Sequence, residues 1–358
     1  MWIWGVSVPH ESIMGWDLGG AHIKAARIDG NGCVDAVIQW PCALWQGLDR
    51  LETGIDSVLE RIGDDGNASR HAVTMTGELA DLFADRASGV KALVETMKRR
   101  FSQQSLAIYA GSVGFLDPDN ALDSALQVAS ANWSATASWS ASRLPAGVLI
   151  DVGSTTTDLV PFRGNRVLAL GGSDHQRLVR QELIYTGIVR TPLMAVTQRV
   201  PFAGEWVSLM AEHFATTADI YRLTGDLPEG VDMHPSADNG DKSDLGSARR
   251  LARMLGLDAD ATDLDGWRRI ARYIAERQLR QLADACERLL SRSDIPADAP
   301  LVGAGVGRFL VQRICQRLDR AYVGFDTLCS CAEHKLVSGV AECAPAVAVA
   351  VLARERAA

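Results

Sequence analysis

Two short runs, Asp17-Leu18-Gly19-Gly20 and Asp151-Val152-Gly153-Ser154, each close an apolar stretch, and together they limit the fold more than anything else in the chain. Setting Asp17 on Asp151 takes an offset of 134, which also carries Gly19 onto Gly153 and Gly30 onto Gly164 without a gap. An Asp-x-Gly turn followed eleven residues later by a second turn glycine reads as a hairpin opening a three-stranded meander. Lys24 falls on Asp158 under the same offset, so the copies share a frame and differ in charge. A chain that repeats such a unit is expected to fold as two related halves.

The flanking patterns extend the repeat. IMGWDL, AHIKAARI and CVDAVIQW predict three strands, and Leu48, Leu51, Ile55, Val58, Leu59 and Ile62 follow at helical spacing. A strand HAVTM, a helix carrying Val90, Leu93, Val94, Met97 and Phe101, a strand LAIYAG and a helix from about Asn120 complete the order βββαβαβα. The second copy starts with GVLIDVGS, TTTDLVPF and NRVLALGG. A mainly helical stretch at about 173–292 then interrupts it, including WVSLMAEHFATTADIYRL and WRRIARYIAERQLRQLADACERLL. The α/β pattern resumes at PLVGAGVGRFLVQRICQRL and ends in the helix APAVAVAVLARE. Residues 1–13 read as an N-terminal extension, 14–143 as the first lobe and 144–358 as the second. A length of 358 residues fits about two domains of roughly 150 each.

With 47% hydrophobic and 22% charged residues, the composition is that of an ordinary globular protein with a sizeable core. A net charge of -8 and no basic run argue against nucleic acid or an anionic membrane as partner. No apolar run approaches the roughly 20 residues of a membrane span, and MWIWGVSVPHES lacks the positive start of a signal peptide. Seven scattered cysteines suggest free thiols in a reducing cytoplasm. Cys329 and Cys331 with His334 lack the second ligand pair that would make a strong zinc pattern.

Tight turns without side chains expose backbone N–H groups to phosphate oxygens, which makes Gly19, Gly20 and Gly153 candidate phosphate contacts. Asp17 and Asp151, at strand ends, suit Mg2+ or an oriented water. Lys24 reaches a phosphate or is an exposed strand lysine. Ser154, Thr155, Thr156 and Thr157 offer hydroxyls to phosphate or metal, or are simply β-branched strand residues. Gly303, Gly305 and Gly307 open a helix after a strand, where an anion or a purine finds room, or where glycines serve tight packing. One turn from each lobe is expected to embrace a single polyphosphate.

In this order on a repeated unit, the segments resemble the two phosphate loops and the adenosine loop of the actin, sugar kinase and Hsp70 ATPase superfamily. That resemblance implies two ribonuclease H-like α/β lobes, the second with a helical insertion. No loop like the sugar-binding Asp loop of sugar kinases stands out. DVGSTTTD is instead similar to the hairpin of the hydantoinase A and oxoprolinase group. TMTGELADLF, ANW, YTGIVRTP and AEHFATTADIYRLTGDL, with GWDLGGAHIK and DVGSTTTDLVP, resemble hydantoinase A-like proteins linked to the tetrahydromethanopterin one-carbon pathway. That family includes the phenoxymethyl synthase of methanofuran, or methylofuran, biosynthesis.

The resemblance implies a transferase in which the phenol of a γ-glutamyltyramine displaces diphosphate from an aminomethylfuran-methyl diphosphate, with Mg2+ on the leaving group. Asp17 and Asp151 would serve metal and diphosphate, and Trp133 or Tyr185 would face the furfuryl cation. Arg190 would bind the γ-glutamyl carboxylate, and Glu78, Asp81 or Asp158 would assist the phenol. His213, Thr216, Thr217 and Asp219 read as helix positions with packing roles. Two alternatives stay open: an ATP-dependent kinase or hydantoinase A-like ATPase, and a non-catalytic nucleotide-binding partner protein. For the assembly, a homodimer is one option.

Overall fold

The computed structural model describes residues 12–66, 69–102, 105–259 and 261–357, so most of the expected extension at 1–13 lies outside the described residues. The first six strands are β1 (Ser12–Leu18), β2 (His22–Ile28), β3 (Val34–Pro41), β4 (Ser69–Met75), β5 (Leu106–Tyr109) and β6 (Phe115–Leu116). They form one sheet in the order β3-β2-β1-β4-β5-β6. β1 pairs antiparallel with β2 and parallel with β4, the meander-then-crossover arrangement expected of a βββαβ unit.

Strand β1 is buried along both faces from Ile13 to Leu18, which is why SIMGWDL reads as a nearly continuous apolar run. One face lies under the C-terminal helix Ala344–Ala357. A side-chain carbon on Gly15 would fall 1.9 Å from the Ala346 carbonyl oxygen, so only glycine lets that helix settle on the strand. The core joins Trp16, Leu18, Ile23, Val73 and Met75 of the sheet to helices α1 (Leu48–Ile62) and α2 (Arg86–Arg100). α1 turns Leu51, Ile55, Val58 and Leu59 inward, each side chain stabilising by about 1.5–3 kcal/mol. It stops at Gly63, whose φ of 73° terminates the helix in the left-handed region. α2 starts on a reciprocal cap between Asp85 and Ser88.

Three short helices follow β6: α3 (Pro118–Asp123), α4 (Ala125–Val128) and α5 (Asn132–Arg143). The second sheet is built from β7 (Ala146–Val152), β8 (Thr157–Arg163), β9 (Arg166–Val167), β10 (Leu183–Ile184), β13 (Leu301–Ala304) and β14 (Tyr322–Gly324). Its order is β10-β8-β7-β13-β14, with β9 also on β8, so β7 and β13 repeat the neighbourhood of β1 and β4. Both sheets carry the duplicated α/β meander expected of ribonuclease H-like lobes.

Between β9 and β13 lie α6 (Asp174–Val179), α7 (Leu193–Val196), α8 (Thr217–Thr224), α9 (Asp244–Arg253) and α10 (Leu264–Leu290). This stretch is less uniformly helical than its sequence suggests. Strands β11 (Arg199–Phe202) and β12 (Glu205–Ser208) form a separate hairpin there. Ala203 and Gly204 both take positive φ, 50° and 86°, the two-residue turn that suits hairpin twist. α8 begins only at Thr217, after a reciprocal Thr216–Asp219 cap, so His213 precedes the helix expected to hold it. The chain ends with α11 (Arg308–Leu318), α12 (Val337–Glu342) and α13 (Ala344–Ala357).

By internal contacts, one compact unit comprises Met1–Leu149, Val160–Asp174 and Val323–Ala358, and the other Ile150–Leu159 and His175–Tyr322. Among the described residues no helix is long and apolar enough to cross a membrane.

Candidate functional site

In the first unit the Asp-x-Gly turn is a closed ring, with Gly19 N–H donating to the His22 carbonyl at 3.0 Å. The 3-10 turn Gly77–Leu79 after β4 lies against it. Thr76 N–H donates to the Leu18 carbonyl at 3.0 Å, and a side-chain carbon on Gly77 would come within 3.0 Å of that same oxygen. Asp17 is buried and stands opposite Lys24 on β2 and Thr74 on β4. The Thr74 hydroxyl is fully buried with no hydrogen-bond partner among the described residues, a polar atom left over beside the strand end. Gly20 faces open space: a carbon added there meets no atom within 4 Å.

Glu78, on the 3-10 turn, is 1% exposed. Its Oε1 lies 2.8 Å from the Ser130 hydroxyl, while Oε2 has no partner. Ser130 Oγ is also 3.1 Å from Asp174 Oδ2, and Arg86 Nη2 donates to that oxygen at 2.8 Å. Burial drives the Glu78 pKa upward, against the downward pull of the Ser130 hydrogen bond. Ser130 has a φ of 51°, a left-handed conformation that disfavours a non-glycine residue. Asp81 is exposed two residues past the turn, and Trp133 is half-buried in the first turn of α5.

In the second unit the equivalent ring recurs at the predicted offset, with Gly153 N–H donating to the Thr156 carbonyl at 2.8 Å. Residues Thr186–Thr191 form a shelf beneath it. The Gly153 carbonyl accepts from Ile188 N–H at 3.1 Å, and the Ser154 carbonyl accepts from Val189 at 3.1 Å and Arg190 at 2.9 Å. A carbon on Gly187 would lie 2.4 Å from Ser154 C and 2.5 Å from Thr155 N, so the shelf touches the turn backbone directly. The shelf is anchored in turn, because Gln278 Nε2 and Thr217 Oγ1 both donate to the Gly187 carbonyl, at 2.9 and 2.8 Å. Ser154, Thr155 and Thr156 remain half-exposed on the hairpin. Thr157 is buried and donates to the Thr186 carbonyl at 2.7 Å, which gives its hydroxyl a structural partner.

Asp151 is 7% exposed, and a carbon on Gly305 would lie 2.4 Å from its Oδ1. Gly305 has a φ of 80° and carries its backbone against that carboxylate. Gly303 makes room for the Tyr322 ring, and Gly307 for Val152 and Ile188. All three glycines of GAGVG thus have close protein neighbours. Asp158 pairs with the buried Arg177 at 2.8 Å, so it is already neutralising a guanidinium that also binds the Glu182 carbonyl. Tyr185 is exposed, and the Arg190 backbone N–H donates to the Ser154 carbonyl.

Sequence reasoning singled out Glu78 and missed Ser130, Asp174, Arg86, Thr74 and Gly187. Three of these leave a local trace: Thr74 opens TMTGELADLF, Ser130 directly precedes the quoted ANW, and Gly187 lies inside YTGIVRTP. Among the described residues no cluster of three His, Cys, Asp or Glu side chains could hold a metal. Magnesium seldom needs one, since it keeps waters and substrate phosphates and takes only one or two carboxylates. Asp17 in the first unit, and separately Asp151 with the hydroxyls of Ser154 and Thr155 in the second, are hard oxygen donors of the kind Mg2+ takes.

A repeated α/β meander whose Asp-bearing hairpins are built on glycine presents backbone N–H groups of the kind that suit phosphate oxygens. The profile of the hydantoinase/oxoprolinase family matches residues 70–355, and the chain belongs to that family. Within it, the chain is 29% identical over 296 residues to the (4-{4-[2-(gamma-L-glutamylamino)ethyl]phenoxymethyl}furan-2-yl)methanamine synthase of Methanocaldococcus jannaschii, covering 82% of this chain and 86% of that protein. It is 31% identical over 119 residues to the protein of the same name from Methanococcus vannielii, covering 33% of this chain and 53% of that one. Among solved structures, nucleotide-free acetone carboxylase aligns with a TM-score of 0.54 at 8% identity, covering 84% of this chain and 66% of that chain.

Proposed function

We propose that this chain is a synthase of the kind its two methanogen relatives are named for. It would join the phenol of a γ-glutamyltyramine to an aminomethylfuran-methyl diphosphate, releasing diphosphate. The observation that carries this reading is the match to the M. jannaschii synthase along most of both chains. The hairpins support it. Gly19–Gly20 and Gly153–Thr156 are the proposed diphosphate-binding elements, with Lys24 and the hydroxyls of Ser154 and Thr155 as further donors. Gly20 offers a substrate the open backbone that polyphosphate binding needs.

In the reaction the bond between the furfuryl carbon and the diphosphate oxygen breaks, and the phenol oxygen bonds to that carbon. Charge builds on the leaving diphosphate, where fixed N–H donors are most effective. Mg2+ held by Asp17 in the one hairpin or by Asp151 in the other would neutralise part of that charge when bound. Trp133 and Tyr185 are the aromatic faces proposed for the electron-poor furfuryl carbon, and Arg190 the side chain for the γ-glutamyl carboxylate. The phenol, whose ordinary pKa is about 10, must also lose its proton. Of the three carboxylates considered for that task, Glu78 is the proposed one. Asp158 is engaged by Arg177, and Asp81 is exposed.

An ATP-dependent activity is the second reading, because glycine hairpins with acidic strand ends suit any magnesium polyphosphate. The crowding of Gly303, Gly305 and Gly307 by protein atoms weighs against a purine there. Product analysis separates the two. Ether and diphosphate formed from the furan diphosphate and γ-glutamyltyramine without ATP support the synthase, and Asp151→Asn should then cost about 10²–10³ in kcat. ADP formed only in the presence of an acceptor, with no ether, would overturn it.

A further inference from the structure

The chain of polar groups from Glu78 to Arg86 lies wholly within the first unit and is unusual in its hydrogen count. Ser130 has one hydroxyl hydrogen, yet carboxylate oxygens of Glu78 and Asp174 lie at 2.8 and 3.1 Å from its oxygen. Were both carboxyls ionised, one of those contacts would press lone pair against lone pair. A proton on one carboxyl relieves that contact, because its O–H can then donate to Ser130 Oγ. Arg86 donates to the same Asp174 oxygen at 2.8 Å, so that carboxyl already has a charged partner. Glu78 is sealed from water, and the charged groups facing it are Asp174 and Arg86. Helix α2 closes the remaining side with Gly89, where an added carbon would lie 2.6 Å from the Glu78 carbonyl oxygen. The proton belongs on Glu78.

We propose that Glu78, Ser130 and Asp174 form a one-proton relay, with Glu78 the neutral acid that serves both halves of the reaction. Ser130 commits its hydrogen to Asp174 and turns a lone pair to Glu78, while Arg86 stays paired with Asp174. These three are positioning residues. The inference rests on the synthase reading for its chemistry, and the protons balance. The furfuryl C–O bond breaks with its electron pair going to the diphosphate oxygen, which takes the Glu78 proton. The phenol oxygen then bonds to the furfuryl carbon and passes its own proton to the Glu78 carboxylate, restoring the acid. Glu78 Oε1 holds the proton in its contact with Ser130, and Oε2, a buried oxygen with no hydrogen-bond partner among the described residues, is the atom that would carry it once the carboxyl turns toward bound substrate. The contact of Gly77 with Leu18 and Gly19 sets this turn beside the first proposed diphosphate element.

The test needs no substrate, so its failure is distinct from failure of the synthase reading. Full-length protein is labelled with 13C at either Glu or Asp carboxyls and titrated by difference infrared spectroscopy. The expected result is a carboxylic acid band at neutral pH that shifts with Glu labelling and is absent in Glu78→Gln. Asp174→Asn lets Ser130 donate to Glu78 instead, and should lower the pH at which the band disappears by about one unit or more. Arg86→Met should move the band from Glu-labelled to Asp-labelled protein, and gives an independent reading where Asp174→Asn does not fold. In turnover, the alkaline limb of kcat/KM should shift down with Asp174→Asn in parallel with the band. A wild-type protein with no Glu78-dependent acid band at neutral pH would overturn the proposal. So would a band that neither variant moves.

Discussion

Replacing Gly187 by alanine probes whether the shelf under the second hairpin sets its position. The glycine does not take a left-handed φ, so alanine brings a steric change and little backbone strain. Its new carbon would start 2.4 Å from Ser154 C, 2.5 Å from Thr155 N and 2.6 Å from the Gly153 carbonyl oxygen. Ordinary contact lies near 3.4 Å, so hairpin and shelf must separate by about 1 Å. Overpacking of this sort costs roughly 1–3 kcal/mol, against about 5–15 kcal/mol of total stability, so the protein should stay folded. A displacement of about 1 Å in a positioning element costs on the order of 10² in rate. The expected outcome is therefore a kcat/KM for ether formation down about a hundredfold, with the unfolding midpoint lower by only a few degrees. The assay is diphosphate release beside a thermal melt on the same preparation. Wild-type turnover in Gly187→Ala would refute the claim that this shelf sets the hairpin, as would an activity loss fully matched by unfolding.

Gly20→Ala makes the complementary case: no protein atom lies within 4 Å, so stability should hold while KM for the diphosphate substrate rises about tenfold or more; an unchanged KM would remove Gly20 from the site. His71 is buried between Trp16 and Gly66, which lowers its pKa from 6.5 to about 4, chiefly by desolvation. The folded state thus favours neutral imidazole, with stability fully present above pH 6.5 and lost as pH falls toward 4. Denaturant titrations should show about 2 kcal/mol less stability at pH 5 than at pH 7.5 from this residue, a dependence that His71→Phe removes. Arg177→Met strands Asp158 and should destabilise by about 3–5 kcal/mol, with part of the loss recovered when Asp158→Leu is added. Additive losses in the double variant would contradict the pairing.

What could be read from the sequence was whatever a few adjacent residues determine. Asp-x-Gly at a fixed offset gave both hairpins, and their closing rings, Gly19 to His22 and Gly153 to Thr156, fall on equivalent positions. The long helix α10 follows from its apolar spacing. Hairpin β11–β12 escaped notice because its second strand runs into WVSLMAEHFATTADIYRL, whose apolar residues read as helical, while the turn itself is only Ala203-Gly204 with two positive φ angles. The acid chain was invisible for another reason. Ser130 is 52 positions from Glu78 and 44 from Asp174, so nothing local signals that one hydroxyl serves both. Asp158 shows the converse, since a carboxylate that looked available in the sequence is occupied by Arg177.

The central claim is that the hairpins hold a substrate's diphosphate while a phenol oxygen displaces it. The most direct measurement supplies γ-glutamyltyramine labelled with 18O in its phenol, together with the furan diphosphate and Mg2+, and no nucleotide. The account predicts an aryl ether that keeps the label and an equal amount of unlabelled diphosphate. Ether formed only when ATP is added, with ADP appearing alongside it, would contradict it.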